Sequence, residues 1–317
     1  MDFCFRQGLA ASTQRTYTSG KNRYLEFCRQ AGLAPLPASE DQFCHFVSFV
    51  ANQGLAHKTI KCYLLAVHHL HIASTLSDPN ISSMSRLEQV LRGIKSQHAK
   101  KGRQPRQRLP ITPDILLILR TVWNAEPGSR DCIMLWAAVC LCFFGFLRAG
   151  EITVPSDNSY DPGAHVNVDD VAVDSKTRPQ IMRVRIKASK TDPFRQGVDV
   201  FVGRTGNLLC PIAAVLAYLA VRGSGSGPLF RFADGRFLTR DRFVAKVREA
   251  LTEGGVDCAR YAGHSFRIGA ATTAARQGVS DATIKMLGRW QSSAYQLYIR
   301  TPRKQLAGVS LALVRNM

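Results

Sequence analysis

No run of the sequence is apolar for long enough to cross a membrane as a helix. The most apolar stretch, "IMLWAAVCLCFFGFL" at 133–147, stops at Arg148, whereas a span needs about 20 residues. That length suits a central buried helix. An apolar leader core is also lacking at the N-terminus, so neither a membrane anchor nor a secretory peptide is expected. No Cys-x-x-Cys pair occurs among the nine cysteines (Cys4, Cys28, Cys44, Cys62, Cys132, Cys140, Cys142, Cys210 and Cys258). The odd count and irregular spacing exclude a zinc ribbon and a disulfide framework, and point to free thiols in a reducing compartment. Repeats and low-complexity segments are missing too, which excludes solenoids. Acidic residues are scarce. Twenty-three Asp+Glu face 42 Lys+Arg, a net charge of +19 spread along the whole chain. Such an excess favours a polyanionic partner, and nucleic acid is the commonest.

What is present divides the 317 residues into two domains of ordinary size. The first, 1–97, reads as all-helical. A helix is expected at 11–30, capped by Ser12 or Thr13, with Tyr17, Tyr24, Leu25 and Cys28 at helical spacing and Arg15, Lys21 and Arg23 on its other face. A second is expected at 39–53, introduced by Ser39 with Glu40 and Asp41 in its first turn. The third, over "AHKTIKCYLLAVHHLHIAS", aligns Ile60, Leu64, Val67 and Ile72 and places Lys58 and Lys61 near its start; a fourth follows at 84–96. His68, His69 and His71 crowd the third helix, but no carboxylate or cysteine at ligand spacing joins them, so packing or phosphate contact is expected instead of a metal.

The stretch "HAKKGRQPRQRLP", 98–110, is rich in cations (Lys100, Lys101, Arg103, Arg106, Arg108) and poor in apolar residues, and reads as a basic linker. It also has the character of a nuclear-import signal. Residues 111–317 then mix helix and strand. Helices are expected at 112–126, 129–148, 211–221, 238–254, 265–277, 280–288 and 292–297. In "QIMRVRIKASK" Met182, Val184 and Ile186 alternate with Arg183, Arg185 and Lys187, a strand with one buried and one basic face. "GVDVFVG" returns beside it, leaving "KASKTDPFRQ" as a hairpin tip. The fold class is mainly α with a small antiparallel β-sheet.

The chemistry-bearing residues sit where these elements end or turn. Arg148 closes the apolar run, with Glu151 three residues on. Lys190 lies at the hairpin tip. In "GHSFRIGAATTAARQG" His264 and Arg267 share one side of a helix start. Trp290 follows "KMLGR" and Tyr298 lies in "QLYIR". Each has an ordinary structural explanation alone. Together they supply what phosphoryl transfer without a metal requires. Two arginines hold the non-bridging oxygens of a phosphodiester, where charge builds in the transition state. A tyrosine serves as nucleophile and keeps the phosphoryl group as a phosphotyrosine. A lysine on a flexible hairpin protonates the leaving oxygen, and a histidine exchanges a proton. Asp169 and Asp170 are the rival carboxylates, but no third acid at convincing spacing accompanies them, and they read as strand or turn residues.

The order Arg148, Lys190, His264-x-x-Arg267, Trp290, Tyr298 resembles the tyrosine recombinase (phage integrase) family. Its "HSFR" and "GRW…YIR" wording is most similar to recombinases of eukaryotic mobile elements such as DIRS-like retroelements and Cryptons. The resemblance implies a helical core-binding domain at 1–97 and a catalytic domain at 111–317. Arg148 and Arg267 would hold the scissile phosphate, supported by Glu151. Lys190 would be the general acid toward the 5′ oxygen, His264 would assist proton transfer, Trp290 would fill the His/Trp position, and Tyr298 would form the 3′-phosphotyrosine. Arg15, Lys21, Lys58, Lys61 and the linker cations would meet phosphates of double-stranded DNA. No cofactor or metal is implied. Four protomers would assemble on two sites, in the nucleus of a eukaryotic host or otherwise in a cytoplasm with nucleoid DNA.

Several assignments have rivals in the sequence. The Trp290–Tyr298 spacing is one residue shorter than in many bacterial and phage members, and Tyr295 lies three residues before Tyr298. Lys187 rivals Lys190. A sequence-specific DNA-binding protein without strand exchange is the second functional reading, and a type IB topoisomerase the third. After Tyr298, Pro302 suits a helix start, and Leu306, Val309 and Leu313 recur at helical spacing. The resemblance implies that this tail docks on a neighbouring protomer.

Overall fold

The computed structural model describes residues 8–74, 77–102, 107–192 and 194–299. Its chain divides into two compact units between Pro105 and Arg106, inside the expected linker. Arg103, Arg106 and the tail with Pro302, Leu306, Val309 and Leu313 lie outside the described residues. Among those described, no helix is long and apolar enough to cross a membrane.

The first unit is helical: α1 (Ala11–Ala31), α2 (Glu40–Asn52), α3 (His57–Ala73) and α4 (Ser85–Lys100). Its core joins Tyr24 and Phe27 of α1, Phe43, Phe46 and Val50 of α2, Ile60, Leu64 and Val67 of α3, and Leu87, Leu91 and Ile94 of α4. Gly20 lets α1 approach α3, since a Cβ there would lie 2.7 Å from the Ala66 Cβ. Ser39 introduces α2 as expected, and Gln42 completes a reciprocal cap with it. Glu40 then accepts from the backbone N–H groups of Arg86 (2.9 Å) and Leu87 (3.2 Å), capping α4 as well.

Three expectations need correction here. Helix α1 begins at Ala11 with Ala10 in the N-cap position and no side-chain cap, so Ser12 and Thr13 lie inside its first turn. The buried stripe of α3 runs Ile60, Leu64, Val67, His71, while Ile72 is exposed; the steps of four, three and four keep residue 71 on the face and turn residue 72 away. His71 is a core residue, accepting from the Ala38 N–H at 3.1 Å and stacking on Phe43. Finally, α4 continues through Lys100, so the linker starts later than residue 98.

The second unit contains α5 (Pro113–Asn124), α6 (Arg130–Phe144), the short α7 (Ala149–Ile152), β1 (Val171–Val173), β2 (Ile181–Ile186), β3 (Val198–Gly203), α8 (Pro211–Arg222), α9 (Arg240–Glu253), α10 (Ser265–Arg276) and α11 (Asp281–Leu287), followed by a 3₁₀ turn at Ser293–Leu297. Helix α6 is apolar all round because it is buried all round, with every residue from Met134 to Phe143 except Trp136 inside the core, as such a helix must be. The sheet is antiparallel in the order β1-β2-β3, with Val184 opposite Val171 and Val200. Met182, Val184 and Ile186 face the core. Helix α10 crosses the Ile111 backbone so closely that a Cβ on Gly269 would lie 1.7 Å from the Ile111 carbonyl oxygen. That packing fixes the helix carrying Arg267.

Candidate active site

Arg148 does not extend α6. The helix ends at Phe144, the chain turns through Phe146 in the left-handed region (φ 51°), and Arg148 occupies the N-cap position of α7. An arginine at the end of an apolar run reads as a C-terminal cap, but the intervening turn aims it elsewhere. Glu151 fixes it doubly. The carboxylate accepts from the Arg148 backbone N–H (2.9 Å) and from its Nη1 (2.9 Å). Glu151 is 7% exposed and also accepts from Arg289 Nη2 at 2.8 Å. Sequence pattern assigns Arg289 no role, although "GRW" contains it; its signal is a partner far away in the chain.

Arg267 is wholly buried in α10. Its guanidinium lies 4.4 Å from the centroid of the Trp290 ring, a cation–π contact, and Nη2 donates to the Gly288 carbonyl. Among the described residues, Nε and Nη1 have no acceptor, nor has Trp290 Nε1. Arg222, the other deeply buried arginine of this unit, is the contrast. Its Nε meets Leu229 O at 2.9 Å, Nη1 meets Gly225 O at 3.1 Å and Nη2 meets Pro228 O at 2.8 Å. Arg222 is a structural arginine with all three nitrogens engaged. Arg267 keeps donors for an acceptor outside the protein. Burial, and next the neighbouring Arg148, pull its pKa down to about 10, so it remains cationic at neutral pH.

His264 stands at the head of α10 and reaches solvent. Atoms crowding its ring push its pKa down, and Arg148, Arg240, Arg267 and Lys190 push it the same way. It is therefore a neutral imidazole at pH 7, able to accept a proton. Exposed Arg240, at the start of α9, is a second neighbour that no sequence pattern marks. Lys187 is committed, its Nζ 2.7 Å from Asp170 Oδ2 and 2.8 Å from Pro162 O. Asp170 is thereby occupied as well. Lys190, at the hairpin tip, is exposed and has no ion pair or hydrogen bond among the described residues. The tip faces the 282–291 segment across a cavity of about 570 Å³, lined by Ser189, Thr191, Asp192, Lys285, Arg289 and Trp290.

The two tyrosines separate clearly. Tyr295 is buried and donates to Asp281 at 3.0 Å, a bond that raises its pKa. Tyr298 is half-buried, its ring centroid 5.1 Å from that of Trp290, its side chain within electrostatic reach of Arg267, and its carbonyl held by Thr272 at 3.0 Å. Because residues 293–297 form a 3₁₀ turn, positions 295 and 298 lie on a tighter spiral than the expected α-helix. No group of His, Cys, Asp and Glu able to hold a metal exists among the described residues.

The sequence has relatives among known proteins. An integrase/recombinase XerD homologue of Selenomonas ruminantium is 24% identical over 292 residues, covering 89% of this chain and 79% of its own. Recombinase Cre of Escherichia phage P1 is 24% identical over 307 residues, covering 90% and 82%. The chain is a relative of the tyrosine recombinases. The tyrosine recombinase fold is shared with the XerH site-specific recombinase in a post-cleavage complex with palindromic difH substrate (TM-score 0.65, 15% identity, 93% of this chain and 78% of that one). A lambda integrase dimer bound to a COC′ core site matches as well (TM-score 0.59, 16% identity, 92% and 90%). No protein-family model matches the sequence.

Proposed function

We propose that this tyrosine recombinase cleaves and rejoins DNA at specific sites through a 3′-phosphotyrosine intermediate. The observation that carries the reading is Arg267, buried with two unpartnered donors between Arg148, Trp290 and Tyr298. In this reading Arg148 and Arg267 bind the non-bridging oxygens of the scissile phosphate, and Glu151 orients Arg148. Tyr298 attacks the phosphorus, neutral His264 takes up a proton, and Lys190 protonates the departing 5′ oxygen. Trp290 covers Arg267 and excludes water. The bond energy stays in the phosphotyrosine, so rejoining needs no nucleotide, and the arginines do electrostatic work that a metal does elsewhere. The test is covalent trapping on nicked duplex DNA in excess EDTA. An adduct is expected; DNA binding without an adduct would support the DNA-binding alternative.

The finer parts of the reading follow the same resemblance. The element of origin is proposed to be a eukaryotic mobile element of the DIRS or Crypton kind, the basic run at 98–110 to direct the chain to the nucleus, and four protomers to assemble on two sites, linked by the tail beyond Tyr298.

Arg15, Lys58, Lys61, Lys100, Lys101 and Arg108 are exposed, and Lys21 is half-buried. They are proposed to meet phosphates. Replacing Lys58 and Lys61 by Gln should flatten the slope of log affinity against log salt by about one for each phosphate no longer neutralised. An unchanged slope in a salt titration would remove both lysines from the interface.

His264 gives a pH dependence whose sign follows from its lowered pKa. Its contribution to stability and its proton-accepting form are complete above the ordinary histidine value of about 6.5 and are lost as pH falls through the lower folded value. Adduct formation should therefore decline on the acid side, and His264→Gln should flatten that limb in a pH–rate profile. A limb that persists in the Gln variant assigns it to another group.

A further inference from the structure

Arg289 holds a backbone conformation that side chains avoid, with φ of 54°, because Cβ crowds the following carbonyl there. A residue persists in that region when its surroundings over-determine it. Here the surroundings are visible. The side chain is 16% exposed, and Nη2 lies 2.8 Å from Glu151 Oε2. Nη1 lies 3.4 Å from the Gly145 carbonyl oxygen, at the turn between α6 and α7. The other oxygen of the same carboxylate, Oε1, holds Arg148 at 2.9 Å. Glu151 is thus shared between Arg148, proposed to bind the phosphate, and Arg289. Unlike those of Arg267, both terminal nitrogens of Arg289 are engaged by acceptors within the protein.

The position of Arg289 in the chain gives this contact its consequence. It opens the segment that runs through Trp290 to Tyr298. Thr272 tethers the far end of that segment to α10 at the Tyr298 carbonyl, 3.0 Å away. Arg289 tethers the near end to the elbow that presents Arg148. Three guanidiniums, of Arg148, Arg267 and Arg289, repel one another across this small volume, and the Glu151 carboxylate is the counter-charge that lets two of them approach.

We infer that Arg289 is a positioning residue that clamps the Tyr298 segment to the Arg148 elbow through the shared carboxylate of Glu151. The inference rests on the proposed role of Tyr298. A displacement of about 1 Å between nucleophile and phosphate costs about 100-fold in rate, so the clamp acts on cleavage without touching DNA.

The experiment uses the full chain with Arg289→Ala and Arg289→Lys, each also in a Glu151→Gln background. Covalent adduct formation on nicked duplex is timed, duplex affinity is measured by gel shift, and hydrogen exchange is followed in residues 288–299. Arg289→Ala is expected to slow the adduct about 100-fold with affinity little changed and with faster exchange confined to 288–299. Lys, which still reaches Glu151, is expected to recover part of the rate, and it carries the test if the Ala variant does not fold. In the Glu151→Gln background the Arg289 substitution should add little, because both act through one carboxylate. Unchanged exchange in 288–299, an unchanged rate, or a fully additive loss in the double variant overturns the clamp. If the unmodified protein forms no adduct but the exchange difference appears, the clamp stands and the recombinase reading falls.

Discussion

Tyr298→Phe is expected to abolish covalent attachment to DNA, by at least about 10⁴-fold, while leaving duplex affinity unchanged. The substitution removes one oxygen and nothing else that holds the segment. The ring keeps its place 5.1 Å from the Trp290 ring, and the bond from Thr272 goes to the backbone carbonyl. Affinity resides in the cations spread over the chain, none of which changes. Tyr295→Phe is the control. It breaks the bond to Asp281, at a cost of about 1 kcal/mol of stability, and should still form the adduct. Denaturing gels of nicked-DNA reactions read both variants. If Tyr298→Phe formed the adduct and Tyr295→Phe did not, the nucleophile would be Tyr295.

Residues whose roles depend on local periodicity were legible in the sequence. The alternation in "IMRVRI" marked the buried face of β2, because a strand's period of two leaves no other register. Ser39 with Glu40 and Asp41 marked a helix start, and the all-apolar run at 133–147 marked the central helix, because both signals are complete within one turn or one helix. The support of Arg148 by Glu151 was expected from the family resemblance, and the pair closes within three residues. Where legibility failed, a single dihedral or a distant partner decided. The left-handed turn at Phe146 redirected Arg148 from the end of one helix to the start of the next. His71 replaced Ile72 in the core of the first unit because the Ala38 N–H, on another segment, satisfies its ring. Arg289 was invisible because both its acceptors lie more than a hundred residues away in the chain. Lys187 and Lys190 differ already in pattern, one on the basic face of the strand and the other at the hairpin tip; the Asp170 partner of Lys187 was beyond its reach.

Arg267→Met is expected to reduce cleavage by about 10²–10³-fold, the effect of deleting a preorganised donor to a developing oxyanion, and yet to leave the DNA-free protein as stable as before or more so. The second half follows from the burial of the guanidinium. Arg267 is fully buried with Nε and Nη1 unpartnered, and Arg148 and Arg289 add repulsion that Glu151 only partly offsets. A buried cation in that state is a cost to folding, and replacing such charges by apolar side chains of similar volume is commonly neutral or stabilising by about 1–4 kcal/mol. Methionine keeps the stem and the packing beneath Trp290, and gives up one bond to the Gly288 carbonyl, worth about 1 kcal/mol. Thermal unfolding without DNA should therefore show a midpoint unchanged or raised by a few degrees. Arg267→Lys should retain the charge and still lose most of the cleavage, because an ammonium cannot present two donors in a plane. Arg222→Met runs the opposite way, since all three of its nitrogens have carbonyl partners that would be left unsatisfied; it should unfold at a clearly lower temperature. A large loss of stability in Arg267→Met, matching that of Arg222→Met, would make Arg267 a structural arginine and take from the proposed function the observation that carries it.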